Sequence, residues 1–189
     1  MNVALRTETV ADLQPIAGSP RSEGTHVSGV LKSILLALEP ERFGGEMDWT
    51  KIELGFSVER LIERAFAERQ RNIVRIGELE KDGIFGSPDG VSFDDPLAPG
   101  EMIVHEIKCT WMSATGCPEH KKFVHWLWQI KAYCYLAETT RARLHVFFVN
   151  GNYKDERSPQ YREWDLTFHE NELAENWMMI TNAAGALRK

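Results

Sequence analysis

The sequence is poor in cysteine and in long apolar runs, and each shortage excludes a class of protein. Its 189 residues include 3 cysteines, an odd number that argues against a disulfide framework. No stretch approaches the roughly 18 consecutive apolar residues of a membrane span, and the N-terminus lacks the basic and then apolar layout of a signal peptide. We therefore expect a reduced, cytoplasmic protein that has no membrane partner.

The cysteines also lack the spacing of a metal site. Cys109, Cys117 and His120 could be imagined as zinc ligands, but the chain has no Cys-x-x-Cys pair and no specific fourth ligand. We do not expect structural zinc.

Basic residues are in the minority. Lys and Arg total 22 against 28 Asp and Glu, which gives a formal net charge of -6. Proteins that coat nucleic acid by bulk electrostatics carry a clear basic excess, so this class is excluded. Proteins that hold divalent cations are not excluded, because their carboxylates count in the formal charge while the bound metals do not.

The composition is otherwise that of a folded globular protein. Hydrophobic residues make up 43% and charged residues 26% of the sequence. The length suits one domain with its own core. We predict a single domain over residues 1–189, in which residues 1–25 form a loose N-terminal arm because they are polar and aperiodic.

Apolar periodicity predicts a mixed set of helices and strands. Ser57 is expected to cap the second helix, and the first three strands are expected to form an antiparallel meander. The order of elements predicts an α/β sandwich, with a central mixed sheet flanked by helices. The predicted helices span about 26–39, 55–70, 121–138 and 171 to the end, and the predicted strands span about 72–79, 84–93, 101–109, 143–151 and 161–168.

A Glu-x-Lys sequence ends the third predicted strand. Because side chains alternate between the two faces of a strand, Glu106 and Lys108 point the same way. Their face is apolar up to Val104, which is typical of a buried strand that emerges into a cleft. The alternative is an ordinary salt bridge on a solvated strand, and the tripeptide alone has almost no specificity.

An aspartate in the preceding segment adds a second acid. A hairpin would bring the Asp89 carboxylate beside Glu106, although Pro88 and Gly90 also suit a simple turn. Two carboxylates and a lysine together suit hydrolysis of a phosphodiester. That reaction needs a hard cation such as Mg²⁺ or Mn²⁺ to neutralise the phosphate and to generate hydroxide near neutral pH.

The second predicted helix offers a third acid. Glu59 lies among apolar neighbours on one helix face, where a buried carboxylate needs a metal or a charged partner. Glu63, toward the charged flank of the same helix, is the second choice. The alternative for Glu59 is a boundary residue paired with an arginine.

A polar stripe follows the predicted helix at 121–138. Its members His125, Gln129 and Tyr133 are four residues apart and therefore share one helix face. A buried amide such as Gln129 requires a specific partner. The tryptophans of this helix are expected to pack in the core rather than to stack on bases.

Four motifs, in this order along the chain, resemble the PD-(D/E)XK nuclease superfamily and within it the RecB-like branch, which includes CRISPR-adaptation nucleases and phage recombination exonucleases. Each motif is weak alone, but their order is fairly specific. The resemblance implies a restriction-endonuclease-like fold and metal-dependent cleavage of DNA in the cytoplasm of a bacterial or phage-infected cell. The motifs are Gly-x-x-x-Glu at 55–59, Gly-x-x-Asp at 86–89, Glu-x-Lys at 106–108 and Gln-x-x-x-Tyr at 129–133.

The resemblance also implies roles for individual residues. Asp89 and Glu106 would bind Mg²⁺ or Mn²⁺, and Lys108 would assist the attacking water. The peptide carbonyl of Ile107 and the side chain of Glu59 would be further metal ligands.

Other positions follow less directly from the resemblance. Gln129 and Tyr133 would orient the site or the DNA, and His26 resembles an N-terminal histidine of some relatives. Many relatives carry four cysteines for an iron–sulfur cluster. Since this chain has 3 in other places, we expect no cluster.

Recognition of DNA is expected to depend on phosphates. The sequence has no zinc-finger spacing, no basic zipper and no arginine-rich recognition helix, so bases would not be read directly. Helix N-termini favour anions, and phosphate contacts encode no sequence. We therefore expect an exonuclease or end-processing enzyme with little sequence preference. The candidate phosphate contacts at the start of the polar helix are Lys121, Lys122 and His125.

Two other functions remain open from the sequence. One is a structure-specific or restriction-type endonuclease, which would form a symmetric dimer and cleave circular or branched DNA. The other is a non-catalytic DNA-binding or assembly protein of the same fold, which the retained acids disfavour. A homo-oligomer or a recombination partner protein is compatible with any of them.

Overall fold

The computed structural model describes residues 22–45, 49–69, 72–93, 99–153 and 158–187. Most of the predicted N-terminal arm, residues 1–21, lies outside these ranges. The described elements, in chain order, are β1 (Thr25–His26), α1 (Val27–Leu38), α2 (Pro40–Phe43), α3 (Trp49–Glu68), β2 (Leu79–Lys81), β3 (Ile84–Gly86), β4 (Gly90–Ser92), β5 (Ile103–Thr110), a 3₁₀ turn (Lys121–Phe123), α4 (Val124–Leu136), β6 (Arg141–Phe148), β7 (Gln160–Thr167) and α5 (Glu170–Leu187).

The central sheet has four strands in the order β4-β5-β6-β7. Strands β5 and β6 are parallel, while β4 and β7 pair antiparallel at the two sides. A smaller sheet has the order β1-β3-β2. The predicted α/β sandwich around a mixed sheet is therefore confirmed.

Helices cover both faces of the central sheet. One face packs with α1, α4 and α5 in the main core, where Val104 and Leu144 of the sheet meet Ile130. The other face packs with α3 in a second cluster, where Ile62 and Ile107 meet. The alternation of side chains along β5 divides its residues between the two cores. Among the described helices, none is long and apolar enough to cross a membrane.

The second predicted helix begins earlier than expected. α3 already starts at Trp49, so Ser57 lies inside the helix and its predicted role as N-cap is wrong. Gly55 lies inside α3, although glycine costs about 1 kcal/mol in a helix interior. Packing of the face that carries Val58 and Ile62 outweighs this propensity.

The predicted antiparallel meander is also wrong as a single sheet. Its second segment divides at residues 87–89, where Pro88 has no N–H to donate to a ladder, so β3 and β4 join different sheets. The first segment, predicted at about 72–79, forms a bridge from Val74 to Val91, and strand β2 begins only at its end, as Leu79–Lys81.

A chain of hydrogen bonds crosses the α3 side of the central sheet. Ser92 Oγ lies 2.9 Å from His105 Nε2, His105 Nδ1 lies 2.8 Å from His145 Nε2, and His145 Nδ1 lies 2.7 Å from the Tyr161 hydroxyl. The Tyr161 hydroxyl donates to Glu163. If both rings are neutral, each Nδ1 carries the proton and Ser92 donates to His105. These hydrogen bonds join all four strands of the central sheet, from β4 to β7.

Candidate active site

The register of β4 and β5 brings two acids together. Gly90 pairs with His105, so the next position in the same antiparallel register places Asp89 opposite Glu106. The Asp89 carboxylate accepts a hydrogen bond from the backbone N–H of Ile107, with the nitrogen 2.6 Å from Oδ2. The Asp89 carboxylate is thereby held against the strand that carries Glu106.

Lys108 joins the acids to the polar stripe of α4. Its ammonium contacts Glu106 Oε1 and donates to Gln129 Oε1 at 2.9 Å. The Gln129 amide donates in turn to the Tyr133 hydroxyl at 2.8 Å. The structure thus supplies the specific partners that a buried amide requires.

Glu106 is the most deeply buried acid of the site. The residue is 2% exposed, and its Oε2 atom has no hydrogen-bond partner among the described residues. Burial raises the pKa of Glu106, although the charge of Lys108 acts in the opposite direction. An unpartnered buried carboxylate oxygen is costly unless a cation binds to it.

Asp89 and Lys108 have shifted pKa values as well. Burial, and then the charge of Glu106, raises the pKa of Asp89 well above its ordinary value. Burial acts to lower the pKa of Lys108, but the charges of Glu106 and Asp89 outweigh it and raise the pKa. Lys108 is therefore an ammonium at neutral pH, a donor rather than a base.

Two acids of α3, Glu59 and Glu63, both contact Arg75 beside this site. Arg75 Nε donates to Glu63 Oε1 at 2.6 Å, and its Nη2 contacts both Glu63 and Glu59. The alternative for Glu59, pairing with an arginine, is thus the arrangement present. Arg75 itself was missed by the sequence reasoning, since a lone arginine in an extended segment gives no signal.

The charges of this region do not balance. Four carboxylates, those of Glu59, Glu63, Asp89 and Glu106, surround two cations, so two formal negative charges remain if all the acids are ionised. Among the described residues, no three His, Cys, Asp or Glu side chains are grouped closely enough to hold a metal by themselves. The residues fit a hard divalent cation held by two carboxylates, with other oxygen ligands completing its shell.

A cleft of about 240 Å³ opens beside the site on the α3 side. Its lining includes Asp89, Ile107 and His105 of the sheet, Glu63 of α3, and Arg75 of the segment between α3 and β2. Of the two carboxylates of the sheet, Asp89 thus faces the cleft on the side of α3.

The predicted phosphate contacts lie at the start of α4. Lys121 is exposed, whereas the Lys122 ammonium donates to the Ser113 carbonyl at 2.8 Å. The His125 ring packs edge-on against Phe43, and burial and the charge of Lys108 lower the pKa of His125 to about 4.

Arg42 is a further cation at this position that the sequence reasoning missed. Its guanidinium donates to the Lys122 carbonyl at 2.9 Å and lies over the Phe43 ring. Only the packing of α2 against the start of α4 reveals it.

His26 lies apart from these residues in its described contacts. Its Nε2 atom is 2.8 Å from the Ser22 carbonyl, and its Nδ1 is 3.5 Å from Glu78. The ring packs on Phe85 in the small sheet. The structure does not bring His26 into contact with Asp89 or Glu106.

The fold is shared with solved nucleases of low sequence identity. An alkaline exonuclease from Laribacter hongkongensis superimposes with a TM-score of 0.55 at 14% identity, over 87% of this chain and 88% of that one. Its complex with dAMP gives the same TM-score at 17% identity over the same shares. A phage-related exonuclease from Haemophilus somnus gives 0.50 at 14%, over 84% of this chain and 78% of that one.

No protein-family model and no curated protein matches the sequence. The likeness is thus one of fold, and the chain has the predicted restriction-endonuclease-like fold.

Proposed function

We propose that the chain is a divalent-metal-dependent nuclease of the PD-(D/E)XK type that hydrolyses phosphodiester bonds of DNA. The observation that carries the proposal is the juxtaposition of Asp89 and Glu106, two buried acids with too few cations around them, beside the protonated Lys108. The exonucleases that share the fold support the same reaction class.

Asp89 and Glu106 would hold Mg²⁺ or Mn²⁺, with the Ile107 carbonyl and Glu59 as further oxygen ligands. The unpartnered Oε2 of Glu106 is the atom best placed for this purpose. When bound, the cation would neutralise the phosphate and lower the pKa of water. Glu59 would have to exchange its contact with Arg75 for the cation.

Lys108 would position the attacking water and stabilise the negative charge that develops on it. A charged ammonium serves this purpose through hydrogen bonds and through its field, without removing a proton. Gln129 and Tyr133 would hold the ammonium in place, since their side chains form one hydrogen-bonded row with it.

DNA would lie across the cleft and the start of α4. Lys121 and Arg42 offer exposed or half-buried cations there, and a neutral His125 can accept as well as donate a hydrogen bond. Because such contacts address phosphates, we propose an exonuclease or end-processing enzyme with little sequence preference.

A panel of DNA substrates tests the proposed activity. The protein is incubated with linear, nicked, closed circular and branched duplexes in the presence of Mg²⁺, Mn²⁺ or EDTA. We expect linear DNA to be degraded with either metal, EDTA to prevent degradation, and the closed circle to survive. Discrete fragments from the closed circle would contradict the exonuclease and favour a restriction-type endonuclease. Binding without cleavage of any substrate would favour a non-catalytic protein.

A further inference from the structure

Arg75 is placed beside the acids of the site by a short antiparallel bridge. The backbones of Val74 and Val91 exchange both hydrogen bonds, at 2.8 and 2.9 Å. Continued by one residue, this register sets Arg75 opposite Gly90, the neighbour of Asp89. Side chains alternate along the segment, so Arg75 shares the α3 side of the sheet with Ile73, which packs there.

Two glutamates on one face of α3 hold the guanidinium. Glu63 accepts from its Nε, and both Glu63 and Glu59 contact its Nη2. The Arg75 side chain is nevertheless 53% exposed at the cleft, and its contacts to the two glutamates use Nε and Nη2 but not Nη1. The hydrogen bonds to the two glutamates outweigh the effect of burial and raise the pKa of Arg75, which is always charged.

The two glutamates are not equivalent. The Glu59 side chain is 19% exposed and its charge acts on Asp89, Glu106 and Lys108, so it lies toward the metal-binding acids. Glu63, 32% exposed, accepts a hydrogen bond from Nε and also contacts Nη2. If Glu59 turns to a divalent cation, Glu63 still holds Arg75, and the Nη2 N–H that Glu59 releases becomes available beside those of Nη1.

We propose that Arg75 is a further catalytic residue, which binds a non-bridging oxygen of the phosphate that is cleaved. The planar fork of a guanidinium suits a phosphate, and Arg75 lines the same cleft as Asp89. This inference rests on the proposed nuclease function. The competing role is a structural counter-ion, which would need only the contacts to Glu59 and Glu63.

The test compares Arg75→Gln with Arg64→Gln, a matched control that removes the same charge from an arginine 81% exposed on α3 and paired with Glu68. Single-turnover cleavage of linear duplex is measured at saturating Mn²⁺. Binding of a labelled duplex is measured by fluorescence anisotropy over a range of salt, with Ca²⁺ replacing Mn²⁺. Affinity for Mn²⁺ alone is measured by calorimetry.

We expect Arg75→Gln to reduce the cleavage rate roughly 10- to 100-fold, as for loss of a hydrogen bond to a charged group. It should also weaken DNA binding, and the slope of log affinity against log salt concentration should fall by about the value of one phosphate contact. Its Mn²⁺ affinity should be unchanged or higher, because Glu59 loses a competing cation. Arg64→Gln should match the wild type. If Arg75→Gln does not fold, Arg75→Lys against Arg64→Lys gives the same comparison with the charge retained.

Equal cleavage and equal DNA affinity of the Arg75 and Arg64 variants would overturn the inference, as would a defect confined to Mn²⁺ binding. If the wild type cleaves no DNA, the proposed nuclease function fails by itself. The anisotropy comparison then still decides whether Arg75 contacts phosphate, and equal affinity of the two variants would refute that contact.

Discussion

The Lys108 ammonium bridges Glu106 and Gln129, with its Nζ 2.9 Å from Gln129 Oε1. Glu106 lies on the same strand and Gln129 on the helix that packs against it. The bridge fixes the ammonium beside a buried carboxylate that has one unpartnered oxygen. Loss of the Lys108 ammonium should therefore affect both the stability of the protein and the reaction at the site.

Lys108→Ala is expected to reduce cleavage by roughly 10²- to 10³-fold, because the attacking water would lose its proposed donor. Removing the cation from a buried pair should also destabilise the metal-free protein by about 3 kcal/mol at pH values at which Glu106 is ionised. Added Mn²⁺ should restore part of that stability. Urea unfolding with and without Mn²⁺ measures this effect. The control is Lys131→Ala, on the same helix as Gln129. The partner of Lys131, Glu172, is 43% exposed, so this change should lower the free energy of unfolding by less than about 1 kcal/mol.

Asp89→Asn is expected to weaken Mn²⁺ binding and to stabilise the metal-free protein. The native pKa of Asp89 is raised, so the unfolded chain loses this proton first as pH rises above the ordinary aspartate value of about 4. Stability therefore falls with rising pH until the native pKa is passed, and the uncharged amide of the variant is free of that loss. Calorimetric titration with Mn²⁺ and unfolding at about pH 4 and pH 8 measure both effects. Unchanged Mn²⁺ affinity would remove Asp89 from the metal site.

His125 is expected to make stability depend on pH in the acid range. Its native pKa of about 4 lies below the ordinary value of about 6.5, since burial and the charges of Lys108 and Arg42 disfavour the imidazolium. As pH falls from about 6.5 to about 4, the unfolded chain binds a proton that the native protein does not, so stability is lost over this window. His125→Gln should flatten this part of the profile. A profile as steep as that of the wild type would contradict the shift.

Ser92→Ala is expected to cost more stability than Tyr161→Phe. Both changes remove a hydroxyl from the chain of hydrogen bonds across the sheet. Ser92 is fully buried, so water cannot replace its hydroxyl as the hydrogen-bond partner of His105 Nε2. The free energy of unfolding should therefore fall by about 1–3 kcal/mol. Tyr161 is 40% exposed, and water can replace its hydroxyl at a cost near 1 kcal/mol. Urea unfolding of both variants decides the order, and equal losses would contradict it.

The sequence predicted the parts of the site that depend on local periodicity. Alternation along a strand places Glu106 and Lys108 on one side, and a four-residue spacing places Gln129 and Tyr133 on one helix face. The structure has both arrangements, and it joins them through the bond from Lys108 to Gln129. That bond could not be predicted, because it depends on how α4 packs on β5.

Features fixed by long-range packing could not be predicted from the sequence. Arg75 enters the site through a bridge of one residue pair, and Arg42 enters through the contact of α2 with the start of α4. The predicted start of α3, at about residue 55, is too late, because tertiary contacts carry the helix through Gly55 in spite of the low helix propensity of glycine. Pairing of β3 and β4 with different sheets likewise depends on their neighbours in space.

The most direct test of the account is single-turnover cleavage of linear duplex by Glu106→Gln. This change keeps the size of the side chain and removes the negative charge that a divalent cation requires. Its control is Glu101→Gln, a neutralisation of an acid 62% exposed just before the same strand. We predict that the wild type and Glu101→Gln cleave with Mg²⁺ or Mn²⁺ and not in EDTA, and that Glu106→Gln is slower by roughly 10²-fold or more. Cleavage by the wild type in EDTA, or equal rates for the two variants, would contradict a metal-dependent site at Asp89 and Glu106.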